Sequence, residues 1–162
     1  MDDERLTELA EKLFENDYWL LDLLPKQAPG DGTGRYFATE RYFMEPLRLK
    51  ELYERFARIV IKMNCYCGIL VSRPAAGSWT RDPEPEQLEQ WFQRCASQRR
   101  GADHILVLTA DGGSMLTLSR GDLYMTLYSP SKELLGILGP LAASEGLFLR
   151  QPEKTHEEVC DE

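Results

Sequence analysis

The groups in this 162-residue chain that could do covalent or metal chemistry are few: two histidines, four cysteines and a scatter of carboxylates. Cys65 and Cys67 form a CxC pair, while Cys95 and Cys160 have no close partner in sequence. A zinc site needs four ligands, commonly in paired spacings, and this set does not supply them. Three of the thiols, Cys65, Cys67 and Cys95, are therefore read as small buried apolar side chains in a reducing compartment. A Cys65–Cys67 redox pair is the alternative, with Lys62 as its nearby base. His156 falls in a polar tail, a poor place for a positioned base. His104 follows Asp103 at the start of an apolar run. Neighbouring strand residues point to opposite faces, so Asp103 cannot orient His104 as a triad would require. His104 is read as a strand-entry residue bonded to backbone.

No HExxH, GxSxG, Walker A, dinucleotide-binding or EF-hand pattern occurs. The glycine-rich stretch 30–34 is not followed by GK[ST], and Asp31 would repel a phosphate, so it is read as a turn cluster. Arg120-Gly121-Asp122 is read as a tight turn. Catalytic and metal residues are thus not assigned, and no cofactor is expected. A carboxylate pair assembled by the fold needs no local spacing. Glu40 and Glu45, beside the aromatic segment described next, are the candidates for it.

The richest cluster is aromatic. Tyr18, Trp19, Tyr36, Phe37, Tyr42, Phe43 and Trp79 lie in or beside expected loops, and Arg35 and Arg41 are interleaved with four of them. Aromatic rings with arginine are the residues of interface hot spots and ligand pockets. Arg35, Tyr36, Arg41, Tyr42 and Trp79 are the binding residues this pattern selects. The competing reading is a second hydrophobic cluster that packs the first helix onto a sheet.

The formal net charge is −8. Residues 2–17 hold seven acids and two bases, and residues 150–162 hold five acids and two bases, so the ends account for all of it. The body, with 15 acids and 15 bases, is neutral. Acidic ends and a neutral body oppose a phosphate-tracking nucleic-acid surface. An acidic first helix that docks a basic partner is the functional alternative to simple solubility. No apolar run reaches the ~18–20 residues that span a bilayer, and Met1–Glu4 is no secretory leader, so a cytoplasmic protein is expected.

The elements that must position these residues follow from periodicity. Leu6, Leu9, Leu13 and Phe14 predict a helix over 3–15. Tyr18–Leu24 reads as a buried strand ended by Pro25, with helix continuation as the rival. Residues 35–43 read as a short strand or an extended approach to the next helix. Pro46 suits a first helical position, and Leu49, Leu52, Tyr53, Phe56, Ile59, Val60 and Met63 predict a helix over 46–64. A strand is expected over 66–72, an 11-residue loop with Trp79 over 73–83, and a helix over 84–99 ended by Gly101. Ile105–Leu108 predicts a central strand, Asp111-Gly112-Gly113 a hairpin turn, and two alternating strands follow over 114–119 and 123–128. Ser129-Pro130 reads as the start of a helix to 144, and Leu147–Leu149 as a last strand.

The fold class is therefore α+β, with an antiparallel or mixed sheet of about five to six strands and helices mainly on one face. The element order is α-β-(β)-α-β-α-β-β-β-α-β. A single domain is expected over 1–151, its N-terminal portion (1–64) mainly helical and its remainder (65–151) sheet-rich, followed by a polar tail over 152–162. Residues 66–150 look like two split units, a succession that resembles ferredoxin-like domains and small effector-binding folds in topology alone. The expected function is a non-catalytic binding module, adaptor or immunity-type, that recognises a protein partner through the aromatic and arginine surface. A small-molecule-binding regulator or a small enzyme is the alternative.

Overall fold

The computed structural model describes residues 2–29, 34–73, 77–97 and 104–153. In chain order the elements are α1 (Asp3–Leu13), β1 (Tyr18–Asp22), α2 (Gly34–Met44), α3 (Pro46–Cys67), β2 (Ile69–Arg73), β3 (Ser78–Arg81), α4 (Pro85–Ser97), β4 (His104–Thr109), β5 (Met115–Ser119), β6 (Tyr124–Tyr128), α5 (Lys132–Ser144) and β7 (Phe148–Arg150). The fold is α+β. Its sheet has seven strands in the order β3-β2-β4-β5-β6-β1-β7, and every neighbouring pair is antiparallel.

The two strands on either side of β2 both run antiparallel to it, so β3 and β4 are parallel and α4 crosses over between them. Likewise β6 and β7 flank β1 and are parallel, with α5 as the crossover. These are two split β-α-β units joined through β4-β5-β6. The first begins at β3, one strand later than the periodicity predicts. The short run Ser78–Arg81 is set among Gly77 and Pro83, and such punctuation reads as loop.

One face of the sheet carries the main core. Ile69, Val71, Ile105, Val107, Leu116, Leu118, Met125, Leu127 and Leu21 point to it and meet α3, α4 and α5. Tyr53, Phe56, Ile59 and Val60 of α3 and Phe92 of α4 are fully buried there. Burying a side chain of this size contributes about 1.5–3 kcal/mol, so α3 is the principal anchor of the sheet. It begins at Pro46 and ends where Gly68 takes φ +62, three residues later than predicted. The strand β2 starts after that glycine.

The opposite face is only partly covered. Leu6, Ala10 and Leu13 of α1 sit on Leu108 and Met115, with Leu70, Trp79, Leu106 and Tyr128 around them. Leu9 packs so close to the β4–β5 turn that a Cβ on Gly112 would lie 2.7 Å from it, and Gly112 also has φ +73. Beyond α1, towards β6, β1 and β7, this face is left to α2.

The helix α2 corrects the expectation of a strand or extended segment at 35–43. Adjacent pairs Tyr36-Phe37 and Tyr42-Phe43 break the period of two that a half-buried strand needs. Tyr36, Glu40 and Phe43 instead follow helical spacing and share one face. The helix α5 begins after Ser131, whose hydroxyl accepts from the Leu134 amide at 3.1 Å, rather than at Pro130, and Ser129 takes φ +52. Gly101, residues 30–33 of the glycine-rich stretch and the tail from 154 lie outside the described residues. Among the described residues no helix is long and apolar enough to cross a membrane.

Candidate functional site

Between α2 and the open end of the sheet lies a cleft of about 900 Å³. Its floor is built by strand alternation. On β1 the side chains of Tyr18, Leu20 and Asp22 face it, opposite Tyr128, Thr126 and Tyr124 of β6. Arg150 of β7 pairs with Leu20 in register and completes the floor. Tyr36, Phe37, Glu40 and Phe43 of α2 form one wall. The β5–β6 turn contributes Gly121, Asp122 and Leu123.

The rings are braced in sets. Tyr18 and Tyr128 stand 5.8 Å apart, and Phe14, capping α1, meets Tyr128 edge-on at 5.1 Å. Tyr36 and Phe37 are edge-to-face at 5.8 Å. Such pairs add ~0.5–1.5 kcal/mol beyond area burial and hold the rings in place.

Four carboxylates and one guanidinium lie among the described lining residues: Asp22, Glu40, Asp122, Glu153 and Arg150. Arg150 is committed. Its Nε and an Nη both donate to Asp22 Oδ2, at 3.2 and 2.7 Å, and both side chains are 14% exposed. Around this pair the phenols shift. Burial, then the charges of Glu40 and Asp22 and a hydrogen bond toward Glu40, push Tyr36 up, while Arg150 pulls it down. Burial and then Asp122 push Tyr124 up, with Asp22 adding to it. The Asp22 charge thus acts on both Tyr36 and Tyr124, the latter its partner in register on β6. Burial also raises Asp122 from its ordinary value, and the His104 charge only partly offsets it. No hydrogen bond or ion pair among the described residues holds the Asp122 carboxylate.

Of the residues selected from sequence, Tyr36 lines the cleft. Arg35 and Arg41 are exposed on α2 and do not line it. Tyr42 points away from the cleft and carries the Arg48 guanidinium 3.7 Å over its ring. Trp79 lies on β3, at the sheet edge opposite β7. There it packs beneath α1, with its Nε1 donating to Thr7 Oγ1 at 3.2 Å and its backbone amide to Asp3 Oδ1 at 3.3 Å. The structure thus separates Trp79 from the 35–43 segment. Glu40 and Glu45 do not pair: Glu40 faces the cleft, while Glu45 precedes α3 and forms an ion pair with Arg48.

The sequence pattern did not select Asp22, Tyr124, Tyr128, Asp122 or Arg150. A signal for the two tyrosines was present: Tyr124, Thr126 and Tyr128 alternate with the apolar Leu123, Met125 and Leu127, so they had to occupy the face away from the core.

The remaining reactive groups lie elsewhere. His104 Nδ1 is 2.9 Å from Ser119 Oγ, its cross-strand partner, rather than bonded to backbone, and neither residue lines the cleft. Cys95 is buried as expected, but Cys65 is exposed and Cys67 only half-buried; both fall within α3, two residues apart, so they project from different sides of the helix. Burial pushes the Cys67 thiol up, opposite to the shift of a reactive thiolate. Among the described residues no three His, Cys, Asp or Glu side chains converge as a metal site.

Comparison of the chain with protein families, with curated proteins and with solved structures gave no match.

Proposed function

We propose that the protein is a non-catalytic binding module that docks a protein partner on α2 and the adjoining cleft. One observation carries this reading: no side chain of α2 is fully buried. A helix with four aromatic residues normally spends them on a core. Here Phe37 is 60% exposed, Tyr42 52% and, just after the helix, Leu47 80%. Large apolar side chains gathered on one segment are the mark of an interaction surface. Rings exposed on both sides of α2 favour a partner broad enough to cover the helix, with a portion of it entering the cleft.

A small-molecule ligand is the second reading, favoured by the cleft's volume and by the few polar groups that converge among its rings.

The test is affinity capture from source-cell lysate with the wild-type protein, Tyr36→Ala, Phe37→Ala and Tyr66→Ala, quantified by mass spectrometry. A partner retained by wild type and Tyr66→Ala but lost from both α2 variants supports docking here. Equal retention by all four places the interface elsewhere.

A further inference from the structure

The lining of the proposed docking surface is uneven in charge. Six aromatic rings and four carboxylates surround the cleft, and its one guanidinium among the described residues is already bonded to Asp22. Aromatic faces attract cations through their quadrupole, and carboxylates strengthen that attraction. Charge near the floor is therefore unbalanced in favour of a positive group.

The chain contains its own example of the interaction. On the outer side of α2, Tyr42 offers a ring and Glu45 a carboxylate, and Arg48 is stacked on one and ion-paired to the other. On the cleft side, Tyr36 and Phe37 offer the rings and Glu40, one helical turn on from Tyr36, the carboxylate. No basic side chain of the described residues fills this second arrangement. Across the cleft, Asp122 is half-buried with no described donor to its carboxylate. A desolvated carboxylate costs stability unless something compensates it, and such costs persist at functional sites.

We infer that the cleft accepts the guanidinium or ammonium head of an arginine or lysine in the partner's docking segment, held among the Tyr36, Phe37 and Tyr124 rings and against Glu40 and Asp122. This rests on the cleft being the docking site. The occupant is a basic segment, and affinity should weaken with salt as charges are screened.

The test uses two isosteric probes that differ in charge, N-acetyl-arginine methylamide and N-acetyl-citrulline methylamide. Each is titrated into the isotopically labelled protein to the tens-of-millimolar range while backbone amide shifts are followed. The arginine probe is expected to move residues 18–22, 36–43 and 122–126 saturably, about tenfold more tightly than citrulline. Glu40→Gln should lower the arginine affinity several-fold and leave citrulline unchanged. Equal affinity for both probes at the cleft would overturn the charge inference and leave docking intact. Absence of any cleft shift with arginine would also overturn it, and docking would then be judged by the capture experiment alone.

Discussion

The Tyr53 hydroxyl donates to the Asp122 carbonyl at 2.9 Å and lies 3.2 Å from the Ser119 carbonyl. Tyr53 is fully buried on α3, the helix that anchors the sheet, and burial pushes its phenol well above the usual range. Asp122 belongs to the cleft on the other side of the sheet. One hydrogen-bonded hydroxyl thus ties the turn that carries a cleft carboxylate to the centre of the core.

Tyr53→Phe should therefore act on both. Loss of the hydroxyl is expected to cost about 1–2 kcal/mol in urea unfolding, because a part-buried carbonyl loses its donor. Amides 120–123 should exchange faster while those of β4 stay protected. Unchanged stability and unchanged exchange in the turn would contradict the tether.

Trp79 and Phe37 should separate stability from binding. Trp79→Ala removes a half-buried ring beneath α1 and the indole contact to Thr7, and is expected to destabilise by about 2–4 kcal/mol with partner capture retained in the folded fraction. Phe37→Ala removes an exposed ring, and its melting temperature should stay near wild type while capture falls. Thermal unfolding together with capture at low temperature reads both.

Two carboxylates should give opposite pH dependence. Arg58, through a bidentate contact, and Lys62 hold Glu145 below its ordinary value near 4.5. Glu145 thus contributes stability above that value and loses it as pH falls through the lower folded pKa. Arg58 is 47% exposed, so screening limits the contribution to about 1 kcal/mol. Asp122 is raised by burial, so its contribution is present at low pH and is lost as pH rises through the folded pKa. At neutral pH Glu145→Gln should lower stability and Asp122→Asn should raise it. Denaturant midpoints between pH 3 and 7 check the signs.

The core was largely legible in the residues. The apolar face of α3 repeats at helical spacing from Leu49 to Met63. The strands β4, β5 and β6 are marked by apolar alternation and by glycines in their turns. The cleft was not legible as a unit. It joins residues 18–22, 36–43, 122–128 and 150, and only the pairing of β1 with both β6 and β7 brings them together. Nothing local encodes that pairing, because β1 is inserted between strands that come more than 100 residues later. Trp79 lies apart from the 35–43 segment for the same reason. It has the composition of a hot spot, yet β3 lies at the far edge of the sheet and α1 covers it. The helical spacing of Tyr36, Glu40 and Phe43 was readable and would have placed one wall of the cleft.

Docking of a partner on α2 and the cleft is open to direct test. A photo-crosslinking amino acid placed at position 37 or 124, and at position 66 as an exposed site on α3, tests it most directly in source cells. One saturable crosslinked protein is expected from positions 37 and 124, with a basic segment at the site of attachment, and none of it from position 66. The same product from position 66, or no specific product from 37 and 124, would contradict it.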